Sequence, residues 1–429
     1  MVKKHFAALA VCIVLAVLIV ANLGSAADVI TINFWHTYSS TNLEVKTLRE
    51  SVIPAFEKEN PGITVKDLIV PYEDLKRKLL AGAAAGTNPE LIRMDIVTVP
   101  QFARLGLLEP VSKTYASEFN KMKDGFFPGP LATNYWKGTY YGIPLDTNTK
   151  VLFYSKTLLA KAGLSKPPET WDEFFAAAKA VAGGSGADRI YGFGDGWADP
   201  WFLTPLLYSN GGAVTNSKYT KATGYLNSPK SFEILNKMVQ ANKAGICLRF
   251  QGGDPAPFAL MDAGRCLFTI DGPWYVGIIK GQWPKMEYGM ALYPHGNGVK
   301  SASVTGGEDI VMVKGVPKVN KAAAWKFIKF ITSDWAQVEM AKSTQIPVTN
   351  TAAAKLTGEE FDYLKIYFEQ LKTAVARTPH PGYEEIKQSL VADLMPVVKE
   401  GKEGKDLQAV LDLAAKHIDA ILAKPEYNK

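Results

Sequence analysis

The sequence predicts an α/β protein built as two lobes. Short β-branched runs alternate with capped amphipathic segments over the first hundred residues, which argues for a mostly parallel sheet with right-handed helical crossovers. Apolar strand-like runs return after residue 140 and again near 266 and 310, separated by segments of helical periodicity. The chain has 429 residues, beyond the ~250–300 that one hydrophobic core serves, yet it contains no internal repeat and no low-complexity linker. A long chain without a linker implies lobes joined by several short crossings.

At the N-terminus, Lys3 and Lys4 precede an apolar run over residues 6–21, and Asn22-Leu23-Gly24-Ser25-Ala26-Ala27 follows. A basic start, an apolar stretch short of the ~20 residues that span a bilayer, and small residues before a cut describe a secretory signal peptide. Residues 1–26 are assigned to it, with cleavage after Ala26 or Ala27. Cys12 lies inside the run behind Val11, not after it behind a small residue, so a lipid anchor is not expected and release into a periplasm is.

Residues 30–35 read as a strand ending in the polar loop His36-Thr37-Tyr38-Ser39-Ser40. Thr41-x-x-Glu44 is a capping box ahead of Val45, Leu48, Val52 and Phe56 at helical spacing. Asn60-Pro61-Gly62 stops that helix, residues 63–70 are extended, 73–85 form a helix, and 91–97 form the next strand. β-rich sequence covers 140–154. Thr170-x-x-Glu173 caps one later helix and Ser228-Pro229 opens another, while strands are expected at 266–270 and 310–313. The last ninety residues read as helical, with a further capping box at Thr357-x-x-Glu360 before Phe361, Leu364, Phe368 and Leu371.

Composition narrows the function. Hydrophobic residues make up 47% and charged residues 21%, which excludes wholesale disorder, collagen and a polytopic membrane protein. The 48 Lys+Arg against 42 Asp+Glu give a net charge of +6, but these residues are scattered, with no basic stripe interleaved with aromatics. No nucleic-acid partner is expected. There is no HExxH, no paired CxxC, no Gly-x-Ser-x-Gly elbow and no Gly-Lys-Ser phosphate loop, so no metal and no cofactor is expected. Gly192-Phe193-Gly194-Asp195-Gly196 has the wrong spacing for a dinucleotide loop. A glycosidase needs only two carboxylates, so a secreted carbohydrate-cleaving enzyme stands as an alternative.

Aromatic residues are abundant, with 9 Trp, 18 Tyr and 20 Phe, and several occupy polar, turn-like settings. Gly196-Trp197-Ala198-Asp199-Pro200-Trp201 and Asp271-Gly272-Pro273-Trp274-Tyr275 are examples. Flat apolar rings beside polar groups suit a sugar, which presents C–H faces and hydroxyl edges. Each such Trp could equally fill a core gap beneath a loop. Cys247 and Cys266, the cysteines that remain after signal removal, either form a disulfide closing a loop of about 20 residues, worth roughly 3 kcal/mol, or stay as two buried thiols.

Six segments in order carry a family resemblance. They are Ile32-Asn33-Phe34-Trp35-His36 with Phe56-Glu57-Lys58-Glu59-Asn60-Pro61-Gly62; Ala84-Ala85-Gly86-Thr87-Asn88-Pro89-Glu90; Phe102-Ala103-x-x-Gly106-x-Leu108; Tyr141-Gly142-Ile143-Pro144 through Pro168-Glu169-Thr170-Trp171-Asp172-Glu173-Phe174; Ser209-Asn210-Gly211-Gly212; and residues 264–274. Together they resemble the extracellular solute-binding proteins of ABC importers, family 1, the sugar-type group that includes maltose-binding protein. The resemblance implies a periplasmic-binding-protein fold: two α/β lobes, a ligand cleft between them, and hinge crossings near 146–150, 303–307 and 344–348. It places residues 27–147 plus 305–344 in an N-terminal lobe and 148–304 plus 345–429 in a C-terminal lobe.

Family positions map onto this sequence one at a time. The loop after the first strand offers Tyr38, Ser39 and Ser40 where maltose binders carry charge, which argues against maltose itself. Asp95 matches a sugar-contacting Asp; Asp146 and Asn148 match polar ligands at the first crossing. Asp199-Pro200-Trp201 matches an acid-Pro-aromatic step, and Trp274 a stacking Trp. Glu308, Arg377 and His380 lie in segments that reach the cleft. The resemblance implies a monomeric, non-enzymatic receptor that hands a carbohydrate to ABC permease subunits. A receptor for another polar solute, such as a sugar phosphate or polyamine, is the alternative within binding proteins.

Overall fold

The computed structural model describes residues 29–38, 40, 43–196, 199–249 and 256–428. The assigned signal peptide, Ser39, the Thr41 cap and Trp197 lie outside the described residues.

Thirteen strands run in chain order: β1 Ile30–His36, β2 Ile63–Ile69, β3 Leu91–Asp95, β4 Tyr135–Trp136, β5 Thr139–Tyr140, β6 Gly142–Asn148, β7 Val151–Ser155, β8 Tyr191–Asp195, β9 Cys247–Arg249, β10 Cys266–Asp271, β11 Tyr288–Ala291, β12 Ser303–Met312 and β13 Ala374–Ala376. They form two principal sheets and one small hairpin, β4–β5. The first sheet has the order β13-β12-β3-β1-β2, with β6 also paired to β12; the second has the order β11-β7-β10-β8-β9.

Each sheet is covered on both faces, as expected of parallel strands joined by helices. In β1, Ile32 and Phe34 face one helical layer with Leu48, Phe56, Phe327 and Ile328, whereas Trp35 faces the other with Leu75, Leu79 and Phe102. The second sheet packs Phe193 and Phe268 against Trp171, Phe174, Ile234, Leu390 and Leu411 on one side. Phe153 faces Phe258, Tyr275 and Tyr367 on the other. The C-terminal helices Tyr383–Glu400 and Lys405–Leu422 therefore belong to the second sheet's core.

The strand expected at 310–313 begins earlier, at Ser303, and is the hub of the first sheet. β12 runs antiparallel to β3 on one side and to β6 on the other, and β13 adds in parallel to its first three residues. The register against β6 shifts between Glu308 and Asp309, opposite Pro144. Proline has no N–H for the ladder, and a bulge is where a strand tolerates it. Chain passage between the sheets is pinned here: Thr147 N–H donates to the Ile346 carbonyl at 3.2 Å, and Ser303 Oγ donates to the Lys150 carbonyl at 2.8 Å.

Local signals explain most helix starts. Thr170 and Glu173 form the reciprocal capping box, and Ser228 accepts from Ser231 N–H with Pro229 in the first turn. Thr357 does not cap a helix. The Glu360 carboxylate folds back over Gly358, residues Glu359–Phe361 make a 3₁₀ turn, and the helix starts at Leu364, burying Leu364 and Tyr367.

The disulfide alternative is corrected. Cys247 and Cys266 are both free and buried. β8 lies between their strands: Cys247 pairs opposite Phe193, and Cys266 opposite Tyr191. Two strand spacings put the cysteines about 9.5 Å or more apart, beyond the ~7 Å limit for bridging Cα atoms. Burial also pushes the Cys266 thiol up to about 12, which suppresses the thiolate. Titration of the protein freed of its first 26 residues should find two thiols in denaturant without reductant and slow reaction in the native state. Fewer than two in denaturant would contradict the strand order.

Candidate functional site

The site begins with a row of acids. Glu308 of β12 lies opposite Asp95 of β3 on one side and Asp146 of β6 on the other. Directly opposed residues on neighbouring strands sit about 4.5–5.5 Å apart, where like charges repel. Two arginines relieve that repulsion. Arg93, two residues before Asp95 and so on the same face of β3, donates to Glu308 Oε2 at 2.7 Å, to Asp146 Oδ2 at 3.0 and 3.2 Å, and to Thr37 Oγ1 at 2.9 Å. Its guanidinium lies 4.1 Å from the centre of the Tyr38 ring. Arg377 donates to Asp95 Oδ1 at 2.8 Å, and Asp95 also accepts from Tyr72 Oη at 2.5 Å and from Val97 N–H at 3.0 Å.

Arg93 meets more carboxyl groups than it can neutralise. Glu44 and Gln345 complete the cluster, Gln345 Nε2 lying 3.4 Å from both Glu44 Oε1 and Asp146 Oδ2. Burial pushes Glu308 well above its usual range despite Arg93, and the neighbouring Asp146 adds to the rise. Burial likewise raises Asp146 against the pull of Arg93. Glu44 is pushed up to about 7 by burial, partly offset by Arg93. Asp95 differs: burial alone would raise it, but Arg377, Tyr72 and the Val97 amide outweigh that and hold it below the usual carboxylate range.

The opposite wall is aromatic and comes from the second sheet. Trp201 and Trp274 are half-buried, with ring centres 5.9 Å apart and planes 32° apart. Trp201 lies in the helix Pro200–Ser209, whose N-cap is Asp199: Asp199 Oδ1 accepts from Trp201 N–H at 2.8 Å. The Trp201 ring rests against Gly306, where any Cβ would collide with it and with Asn148. Gly307, at φ +127°, occupies backbone space closed to other residues and sets Glu308 facing the site. The guanidinium of Arg377 and the ammonium of Lys150 lie 5.2 and 5.3 Å from the Trp201 ring centre, and Lys150 sits 3.1 Å from that of Phe202. Asp271, raised by burial against the pull of Lys150 and the Gly272 amide, stands beside them. The Asn148 side-chain oxygen is buried without a hydrogen-bond partner among the described residues.

Tyr38, Asp146 and Glu308 are thus gathered around Arg93. Asp95 and Arg377 meet at the ends of β3 and β13 of the first sheet, and Trp201, beside Asn148 at Gly306, forms an aromatic wall with Trp274. Asp199 sits at the edge, 3.4 Å from Lys387. Ser40 is an exposed turn residue apart from this group. His380 is also apart: its Nδ1 accepts from Gly382 N–H at 3.0 Å, its carbonyl accepts from Tyr383 N–H, and its ring contacts Tyr427. Arg93, Glu44, Lys150, Asp271 and Tyr72 are additions that sequence reasoning missed. No group of three or more His, Cys, Asp or Glu among the described residues is arranged to hold a metal.

Residues 51–363 match the family model of bacterial extracellular solute-binding proteins. A putative binding protein of Brucella abortus is 29% identical over 390 residues, covering 87% of this chain and 90% of its own. The sn-glycerol-3-phosphate-binding periplasmic protein UgpB of Salmonella typhimurium is 24% identical over 434 residues, covering 94% and 95%. Among solved structures, an ABC transporter solute-binding protein of Thermotoga lettingae bound to α-D-tagatose superposes with a TM-score of 0.78 at 27% identity, over 92% of this chain and 100% of that one.

The Arg93 cluster generates a pH prediction. Glu44 rises from 4.5 to about 7 in the fold, so its contribution to stability is present below 4.5 and is lost as pH climbs towards 7. His36, buried beside Asp67 and lowered to about 4 from 6.5 mainly by desolvation, acts oppositely and weakens the fold as pH falls through that window. Comparing Glu44→Gln with the parent isolates the carboxyl. In urea melts the variant should gain on the parent between pH 4.5 and 8, by about 3 kcal/mol at most. A difference that does not change with pH would remove Glu44 from the buried cluster.

Proposed function

We propose that this chain, which belongs to the bacterial extracellular solute-binding protein family, captures a neutral carbohydrate between its two sheets and passes it to a membrane permease. Family membership makes it the solute-binding component of an ABC importer, a role of capture rather than catalysis, in a periplasmic or extracellular setting. No helix among the described residues is long and apolar enough to cross a membrane. The proposal extends to release after removal of residues 1–26, action as a monomer, and lobes formed by 27–147 plus 305–344 and by 148–304 plus 345–429. The separate cores around the two sheets support that division.

One observation carries the carbohydrate reading: two half-buried indoles face a row of carboxyls whose charges are already matched inside the protein. Indole faces bury sugar C–H groups at low entropic cost. Carboxyls and the unpaired Asn148 oxygen accept from hydroxyls, and charge-assisted bonds of this kind are strong and discriminating. A site of this type rejects a ligand lacking the matching hydroxyl, because a buried acceptor would be left unpaired.

The relatives that bind glycerol phosphates favour a second reading, in which Arg93, Arg377 and Lys150 take a phosphate. The charge balance speaks against it. Arg93 faces Asp146, Glu308 and Glu44, Arg377 faces Asp95, and Lys150 faces Asp271, so acids outnumber these three cations. A dianionic phosphate would have to displace carboxylates from their own arginines.

A thermal-shift screen separates the readings, since a ligand that binds only the folded state raises Tm. Neutral mono- and oligosaccharides should raise it, and glycerol 3-phosphate should not; the reverse result would favour the phosphate reading. With the best sugar, Trp201→Ala should weaken binding about 10- to 150-fold by calorimetry, roughly 1–3 kcal/mol of lost ring burial. Its melting temperature should fall less than that of a core Trp truncation, which costs about 3–5 kcal/mol. Native affinity in a variant that melts far earlier would assign Trp201 to packing.

A further inference from the structure

Two helix starts meet across the seam between the sheets. The helix Tyr72–Ala85 is fastened to the first sheet through Leu75 and Leu79. The helix Tyr383–Glu400 is fastened to the second through Ile386 and Leu390. Their first turns carry the same acid-x-x-Lys spacing, Glu73-x-x-Lys76 and Glu384-x-x-Lys387, and the two pairs answer each other. Lys76 bonds Glu384, and Lys387 lies 3.5 Å from Glu73. The side chains of Lys76 and Glu384 are 22% and 25% exposed, which distinguishes that pair from a freely solvated one, whereas Glu73, the partner of the more buried Lys387, is exposed. Beneath them, Ile96 and Val97 of the first lobe and Tyr383 of the second form a small buried apolar cluster, and Asp95–Arg377 closes its inner end. Apolar centre and charged rim together are the make-up of a protein–protein interface.

We infer that these two helix starts are a built-in electrostatic latch that holds the lobes together independently of solute. The contacts involve protein groups alone, so they favour the approached arrangement whether or not the cleft is filled. A ligand that needs both walls then binds a state already populated, and its apparent affinity rises with that population. The reciprocal charge pattern also fixes register: a slide of one helix turn in one direction would bring Lys76 towards Lys387, and in the other Glu73 towards Glu384. This inference rests on the capture reading only in treating the seam as the mouth of the ligand cleft.

The test uses the full mature chain without added solute, carrying dyes at Lys46→Cys and Lys166→Cys, exposed positions on the first and second lobes. Inter-lobe energy transfer reads the ratio of approached to separated lobes. Lys76→Glu should lower that ratio about fivefold, 1 M NaCl should lower it in the parent but not in this variant, and Lys76→Glu with Glu384→Lys should restore it. The neutral pair Glu73→Gln with Lys387→Gln gives a second route should a reversal melt early by circular dichroism, and it should also lower the ratio. A ratio unchanged by both variants and by salt overturns the latch, as does a double reversal that fails to restore it. The carbohydrate screen stands apart: a chain that binds no sugar yet opens with Lys76→Glu loses the capture reading and keeps the latch, while a sugar-binding chain with an indifferent ratio loses only the latch.

Discussion

Everything at the centre of this molecule is arranged around three carboxyl groups placed side by side. Asp95, Glu308 and Asp146 occupy adjacent strands at one level, in a buried setting where three negative charges could not coexist. The fold meets this constraint by two means. Arg93 and Arg377 supply cations, and burial raises the carboxyls of Glu308 and Asp146 against the pull of Arg93, which favours their neutral forms. The second arginine follows β13, the edge strand of the same sheet, so the electrostatic balance of the first sheet is completed by a segment late in the chain. Removing Arg377 would leave Asp95 buried with only neutral donors, the situation in which breaking a buried pair costs most.

The same arrangement explains why the cleft reads as a surface for neutral, hydroxylated molecules. Its cations are committed to internal partners, and its remaining polar groups are mostly acceptors. Trp201 shows the coupling well: one ring touches Gly306 of the hub strand, lies within cation–π range of Arg377 and Lys150, and borders Trp274. A solute resting on that indole would touch a ring already connected to both sheets.

Much of this was legible in the chain itself, for physical reasons. The short apolar run of β1 and capping chemistry at Thr170 and Ser228 are local rules, and local rules show in local sequence. Trp201 and Trp274 stood out as aromatic residues in polar, turn-like settings, whereas Asp146 and Asn148 came from the family resemblance alone. Arg93 did carry a signal, a basic residue inside the strand Leu91-Ile92-Arg93-Met94-Asp95, but its meaning needs β12, whose pairing lies more than two hundred residues away. Glu44 misled, since its capping-box position suggests a solvated side chain and the fold buries it. His380 and Ser40 show the converse, polar residues in suggestive places that hold turns. The cysteines stayed open between a bridge and two buried thiols because sequence separation says nothing about a third strand lying between two others.

The hub position of β12 has a consequence for how the protein is made. Among the described residues β6 joins the sheet through β12, with one isolated bridge from Thr147 to Ile346, and β12 begins more than 150 residues after β6 ends. The N-terminal half of the first lobe is therefore synthesised well before the strand that completes its sheet, and β13, which supplies the stretch leading to Arg377, comes later still. Contacts of such long sequence separation close slowly, because the loop entropy must be met before they form. A chain translated from its N-terminus stays incompletely folded until nearly all of it has emerged. The topology that makes β12 the hub thus also delays completion of the first sheet until synthesis is nearly over.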